Sequence, residues 1–336
     1  MEPAAPAKAE IDARLWRHFP PILQPIDIHP LIPTGLSGSV VWKVRTHAGD
    51  VAVRKFGPRT SNRTTEESHS TMSLARRFGW KEVPQPFPNN LGLTTTQSGD
   101  DHWDLCTWQP GEPAKLPIDG PHLRSALHFI ARWHSFWTKE RAGWNDNVIL
   151  QTAEQRRRAE WRRLYRNGIP DVLHFEHAAD PLGLNSRAWR AASARARRLE
   201  EILGGLPPLL VGEPLVFCHG DLHHEHLLFA EGVPTGLIDL SCRWDYAAAD
   251  LARWLPSVAD ANRWPQAIEW YREKALLSER SERAIPMLVE TGLAIAALRW
   301  REWLLGADSH RRCFPRPDLA YGRWREVVER LERLEL

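Results

Sequence analysis

FCHGDLHHEHLLFAEGVPTGLIDL, residues 217–240, sets one aspartate, Asp221, in a loop between apolar runs and a second, Asp239, at the end of the strand that follows. Leu215–Phe217 and Leu227–Phe229 have the length and apolar content of short buried strands. A carboxylate held between two such strands is costly to bury unless it has a task.

Phosphoryl transfer asks for a carboxylate that takes the acceptor hydroxyl's proton, oxygen ligands for a metal, and cations around the phosphates. Asp221 and Asp239 are candidates for the first two. In the kinase pattern a His-Arg-Asp triplet is followed by an Asn five residues past the Asp, and then by a metal-binding Asp. Here His219-Gly220-Asp221 has Gly in place of Arg, His226 stands at the Asn position, and Asp239 lies in an Ile-Asp-Leu-Ser context.

At these residues, together with Asp250-Leu251-Ala252 further on, the chain resembles the aminoglycoside phosphotransferase and choline kinase-like families. The resemblance implies an α+β, two-lobed protein-kinase-like fold. A small N-terminal antiparallel β-sheet lobe with a helix would span residues 1–107, a hinge 108–113, and a larger, mainly α-helical lobe 114–336. It implies ATP as donor and Mg²⁺, with Mn²⁺ as an alternative. Asp221 would be the catalytic carboxylate, Asp239 and His226 the metal positions, and His219 and Asp250 the supports of the loop. The implied acceptor is a hydroxyl of a small molecule such as an amino sugar, an aminoglycoside, a choline-like alcohol or a homoserine-like compound.

His226 departs from the pattern. Imidazole is a poor ligand for Mg²⁺ and a good one for softer ions. Three readings stay open: a hydrogen-bond donor to phosphate or Asp221, selection of another metal, or a nucleotide-binding pseudokinase serving as a regulatory module. The cluster His219, His223, His224, Glu225 and His226 also invites a zinc-hydrolase reading, but His-Glu-x-x-His is absent.

Upstream, Val40–Arg45 and Val51–Phe56 around His47–Asp50 read as a β-hairpin. Alternation puts Ala52 and Arg54 on one face and Val51, Val53 and Lys55 on the other. Val-Ala-Val-Arg resembles the kinase strand that carries the phosphate-gripping lysine, so Arg54 takes that position. Its planar fork suits phosphate oxygens. The preceding Ser37, Gly38 and Ser39 would lie over the phosphates. A helix from about Thr64 to Phe78 would turn Glu67 inward to hold Arg54. The strand His102–Trp108, ending in Pro110-Gly111, matches the hinge, where Cys106 and Trp108 would meet the adenine.

Composition narrows the partners. With 44 Lys and Arg against 42 Asp and Glu, the net charge of +2 gives little general attraction to nucleic acid. The arginine-rich stretches 156–166 and 187–198 are balanced by nearby acids and read as solvated helix faces. Cys106, Cys218, Cys242 and Cys313 are dispersed without a Cys-x-x-Cys pair, which fits a reducing, cytoplasmic setting. No run reaches the ~18 apolar residues of a membrane helix, and no signal peptide is evident. The 17 tryptophans are expected chiefly as core anchors.

Overall fold

The computed structural model describes residues 11–29, 39–57, 62–140, 152–166, 210–305 and 317–334. Ser37, Gly38 and the arginine-rich stretch 187–198 lie outside the described residues. The chain divides into two compact units, the first holding the residues up to Gly111 together with Thr235–Leu240, the second Glu112–Pro234 and the chain from Ser241 on.

The first unit is built on a five-stranded antiparallel sheet of β1 (Pro25–Ile28), β2 (Val40–Thr46), β3 (Gly49–Lys55), β4 (Thr96–Ser98) and β5 (Asp101–Thr107), in the order β1-β2-β3-β5-β4. β1 precedes the hairpin expected at Val40–Phe56 and pairs with its first strand. Pro25 is tolerated there as the first residue of an edge strand. Val44, Val51, Val53, Trp103 and Leu105 pack one face of the sheet against Leu15, Trp16, Phe19 and Leu23. Trp42 and Trp103 stack there with ring centroids 5.6 Å apart.

Helix α1 (Asn62–Arg77) buries Thr65, His69, Met72 and Ala75, one stripe at helical spacing. It ends on Gly79, whose φ of 93° places it in the left-handed region. The Gly79 N–H then bonds the Arg76 carbonyl at 3.0 Å and the Trp80 N–H the Ala75 carbonyl at 3.1 Å, the paired bonds of a Schellman cap.

Among the described residues the second unit contains β6 (Glu112–Pro113), α2 (Gly120–Glu140), α3 (Ala153–Arg166), β7 (Val216–Cys218), β8 (Leu227–Ala230), the start of β9 (Val233–Leu237), β10 (Arg243–Asp245) and four further helices. These are α4 (Ala247–Val258), α5 (Trp264–Arg272), α6 (Glu279–Leu305) and α7 (Pro317–Arg333). β7 pairs with β10 and β6 with β8, all antiparallel. The stripe Leu123, Leu127, Ile130, Ala131 and His134 buries one face of α2. Trp161, Trp254 and Trp324 are buried, and Trp324 Nε1 donates to the Ala297 carbonyl at 3.1 Å, tying α7 to α6.

Candidate active site

In the second unit β7 delivers the chain into His219-Gly220-Asp221, and the start of α4 holds that turn. Asp250, 2% exposed, accepts the His219 N–H at 2.6 Å and the Gly220 N–H at 3.0 Å with its two carboxylate oxygens. A buried carboxylate needs such donors. A third comes from α2, where His134 Nε2 lies 3.2 Å from Asp250 Oδ2. Since the carboxylate only accepts, Nε2 carries the proton and Nδ1 accepts from the Tyr271 hydroxyl at 2.9 Å. Burial would raise the Asp250 pKa, but the His134 hydrogen bond and the Gly220 N–H hold it below the usual carboxylate value.

Gly220 is required on two counts. Its φ is 84°, and a Cβ there would stand 2.4 Å from Arg243 Nε and 2.5 Å from the Ser241 carbonyl oxygen. Arg243 closes over the turn and donates to the Gly220 carbonyl at 2.8 Å.

Asp221 follows with its side chain 35% exposed and ion-paired to Arg253, one turn beyond Asp250 on α4. The Asp221 N–H donates to His219 Nδ1 at 3.2 Å. His226 Nδ1 lies 2.8 Å from the Asp221 carbonyl oxygen, an acceptor, so Nδ1 is the protonated nitrogen. His226 thus does at the Asn position one of the things expected of it, donating to Asp221, through the backbone. Beside it, burial first, with the Arg253 and Arg323 charges adding to it, pushes the His223 pKa down to about 2.

In the first unit Arg54 and Asp104 are directly opposite on β3 and β5. Arg54 Nη2 lies 2.6 Å from Asp104 Oδ2 and Nε 3.2 Å from Oδ1, a bidentate pair. His69 Nε2 reaches the same Oδ2 at 2.8 Å from α1. Burial opposes the charge on Asp104, yet Arg54 and the His69 hydrogen bond keep its pKa below the usual value. Arg54 Nη1 is 3.4 Å from Asp239 Oδ1. Asp239 is 58% exposed at the side chain and has a φ of 55°, a left-handed conformation uncommon outside glycine.

The ion pair expected between Arg54 and Glu67 is therefore replaced by the pair with Asp104. Glu67 is exposed, because α1 turns the stripe of Thr65, His69, Met72 and Ala75 inward. The same rotation leaves Phe78 50% exposed. Ser39 Oγ accepts the Gly57 N–H at 3.2 Å. Cys106 is buried on β5 opposite Ala52, and the Trp108 N–H donates to the Asp50 carbonyl at 3.0 Å.

Three groups escaped the sequence reading: Asp104, Arg253 and the His134–Tyr271 support of Asp250. Asp104 carried a signal, since alternation along His102–Cys106 sets it on the face opposite Trp103 and Leu105. The other two depend on how helices pack and have no local signature.

Among the donors, the Asp239 carboxylate fits a hard dication such as Mg²⁺, whereas the His226 imidazole does not. A sheet unit with a salt-bridged strand arginine, and a helical unit whose buried aspartate fixes a His-Gly-Asp turn, define a kinase-like α+β protein. The chain matches the model of the phosphotransferase enzyme family over residues 30–285 and belongs to that family. Among solved structures it resembles spectinomycin phosphotransferase APH(9)-Ia in complex with ADP and spectinomycin at 15% identity and a TM-score of 0.61, covering 95% of each chain. It also resembles the amicoumacin kinase hAmiN in complex with AMP-PNP, Ca²⁺ and Ami, at 14% identity and a TM-score of 0.59, over 95% of this chain and 93% of that one. Choline kinase from Cryptosporidium parvum Iowa II is similar at 14% identity and a TM-score of 0.54, over 90% and 88%. No curated protein sequence matches the chain. Among the described residues no helix is long and apolar enough to cross a membrane.

Proposed function

We propose that the protein transfers the γ-phosphoryl group of ATP to a hydroxyl of a small molecule, with Asp221 as the carboxylate that takes the hydroxyl proton. The observation that carries this is the clamp of Asp250 on the His219 and Gly220 N–H groups. It fixes the backbone on which Asp221 is mounted, and pre-organised geometry is most of what this chemistry asks of a protein. His219 and His226 hold the same turn through the Asp221 N–H and carbonyl.

On the nucleotide side, Arg54 is proposed to face the phosphates with Nη1, since Asp104 engages Nε and Nη2. Ser37, Gly38, Ser39 and the Cys106–Trp108 strand end are proposed for the rest of the nucleotide, with Glu67 at the rim of α1. Asp239 would hold a divalent ion, Mg²⁺ or Mn²⁺, which when bound neutralises phosphate charge.

The acceptor classes named by the resemblance are not equal for this chain. Arg156, Arg243 and Arg253 gather near Asp221 and Asp245, and Arg157 is pushed down to about 10, by burial first, with Arg253 and Arg156 adding to it against the pull of Asp245. So basic a surrounding disfavours a polycation such as an aminoglycoside and favours a neutral or anionic hydroxyl compound.

A pseudokinase reading has one observation in its favour: Arg253 occupies the Asp221 carboxylate while His226 replaces the Asn. Labelled ATP assayed against a panel of hydroxyl metabolites with Mg²⁺ and with Mn²⁺ decides between the two. Transfer that vanishes in Asp221→Asn supports the enzyme. Nucleotide binding without transfer to any acceptor supports the module.

A further inference from the structure

The donors at residues 221–226 match a different ion from the one phosphoryl transfer usually employs. A carboxylate oxygen of Asp221 and ring nitrogens of His223 and His226 all lie within 4.8 Å of one another, inside the second unit. A tetrahedral ion with Zn–N and Zn–O bonds of about 2.0–2.2 Å holds its donors roughly 3.4 Å apart, so a pair at the outer limit needs to close by about 1.4 Å, a movement within reach of side-chain rotation. The rings of His223 and His226 are already packed together, with centroids 3.7 Å apart.

His226 is also oriented as ligating histidines are. Its Nδ1–H donates to the Asp221 carbonyl, which fixes the ring and leaves the lone pair on Nε2. Two imidazoles and one carboxylate suit Zn²⁺, Co²⁺ or Mn²⁺ far better than Mg²⁺, which prefers an all-oxygen octahedron.

We infer that the 221–226 turn chelates one first-row transition-metal ion of the Zn²⁺ type through Asp221, His223 and His226. Arg253 is its competitor. The guanidinium pairs with Asp221, and its side chain, 51% exposed, has room to swing away when the ion arrives. Arg323, which pairs with Glu225 and Glu326, stays on its helix. On the transferase reading, and resting on it, a coordinated Asp221 no longer accepts the hydroxyl proton, so the ion inhibits transfer.

The test is titration of the full-length, metal-free protein with Zn²⁺ by calorimetry and with Co²⁺ by visible absorption. One equivalent should bind, with a saturating d–d band. Affinity should fall tenfold or more in His223→Ala and in Asp221→Asn, and rise severalfold in Arg253→Gln. His224→Ala, outside the donor set, should leave it unchanged. His223 is 25% exposed at the side chain, so His223→Ala should fold, and its thermal melt checks this. Binding that survives His223→Ala, or a Co²⁺ spectrum that does not saturate at one equivalent, overturns the site. Because these readouts need neither ATP nor an acceptor, they hold whether or not transfer is found. Zn²⁺-inhibited transfer tests only the coupling between the two.

Discussion

His134 on α2 and Asp250 on α4 meet at 3.2 Å across 116 residues of sequence, and through Asp250 the core of the helical unit reaches the backbone of His219 and Gly220. The position of Asp221 is thus set from inside the unit.

Removing His134 should loosen the turn without touching any substrate. His134→Ala leaves the Tyr271 hydroxyl without its acceptor and removes one of the two donors on Asp250 Oδ2, a loss of about 1–3 kcal/mol in urea unfolding. If the clamp positions Asp221, kcat falls more than KM rises; an unchanged kcat would show that the turn is held without it.

Asp221→Asn should reduce transfer by about 10²–10⁴-fold, the usual contribution of a positioned acid–base group. Nucleotide binding should be unaffected. Saturating ATP, at about 100 times Kd, should raise stability by about 2.7 kcal/mol in wild type and variant alike.

Gly220→Ala should be among the most damaging substitutions in the chain. The added Cβ meets the Ser241 carbonyl and Arg243 at 2.4–2.5 Å, and the residue must also hold a φ of 84°. Left-handed strain of about 1–3 kcal/mol adds to the clash, and denaturant unfolding reads the total.

Acid should unfold the protein through Asp104 and Asp250. Both have folded-state pKa values below their ordinary ones. Their contribution is therefore fully present above the unfolded carboxylate pKa of about 3.9 and is lost as pH falls through the folded values. Asp104→Asn should flatten the acid limb of the stability curve. It should also cost about 3–5 kcal/mol near neutral pH, because Arg54 loses its buried partner.

His226→Asn restores the oxygen donor that Mg²⁺ prefers. The Mg²⁺ concentration giving half-maximal transfer should fall by about tenfold, the scale typical of changes around metal ligands, while Zn²⁺ affinity is lost. An unaltered Mg²⁺ dependence would place the imidazole outside the metal's reach.

Much of this was readable from the chain because it depends on short-range rules. Alternation along Val51–Lys55 placed Val51 and Val53 in the core and Arg54 on the opposite face, where it is found. Leu127, Ile130, Ala131 and His134 recur in the sequence at helical spacing, and α2 buries them as one stripe. The rotation of α1 differs from the one that turns Glu67 inward, because its buried stripe carries Thr65 and His69 beside Met72 and Ala75, and two polar members give the pattern little apolar weight. Arg253 on Asp221 was not legible at all, since its reach depends on where α4 packs against the turn.

Asp239 reaches Arg54 across a sequence separation of 185, through a strand that follows β8 and finishes in the first unit. Leu237 N–H on the Glu82 carbonyl and the Thr235 hydroxyl on the Pro110 carbonyl tie that return. At roughly 5–20 residues per second, a ribosome needs on the order of 10–40 s to add this stretch once Arg54 has emerged. The N-terminal unit therefore waits for its last segment through much of the synthesis of the chain. A fragment ending at Gly111 would keep the five-stranded sheet but lack the returning segment Thr235–Leu240 and with it Asp239, and would be a poor choice for separate expression.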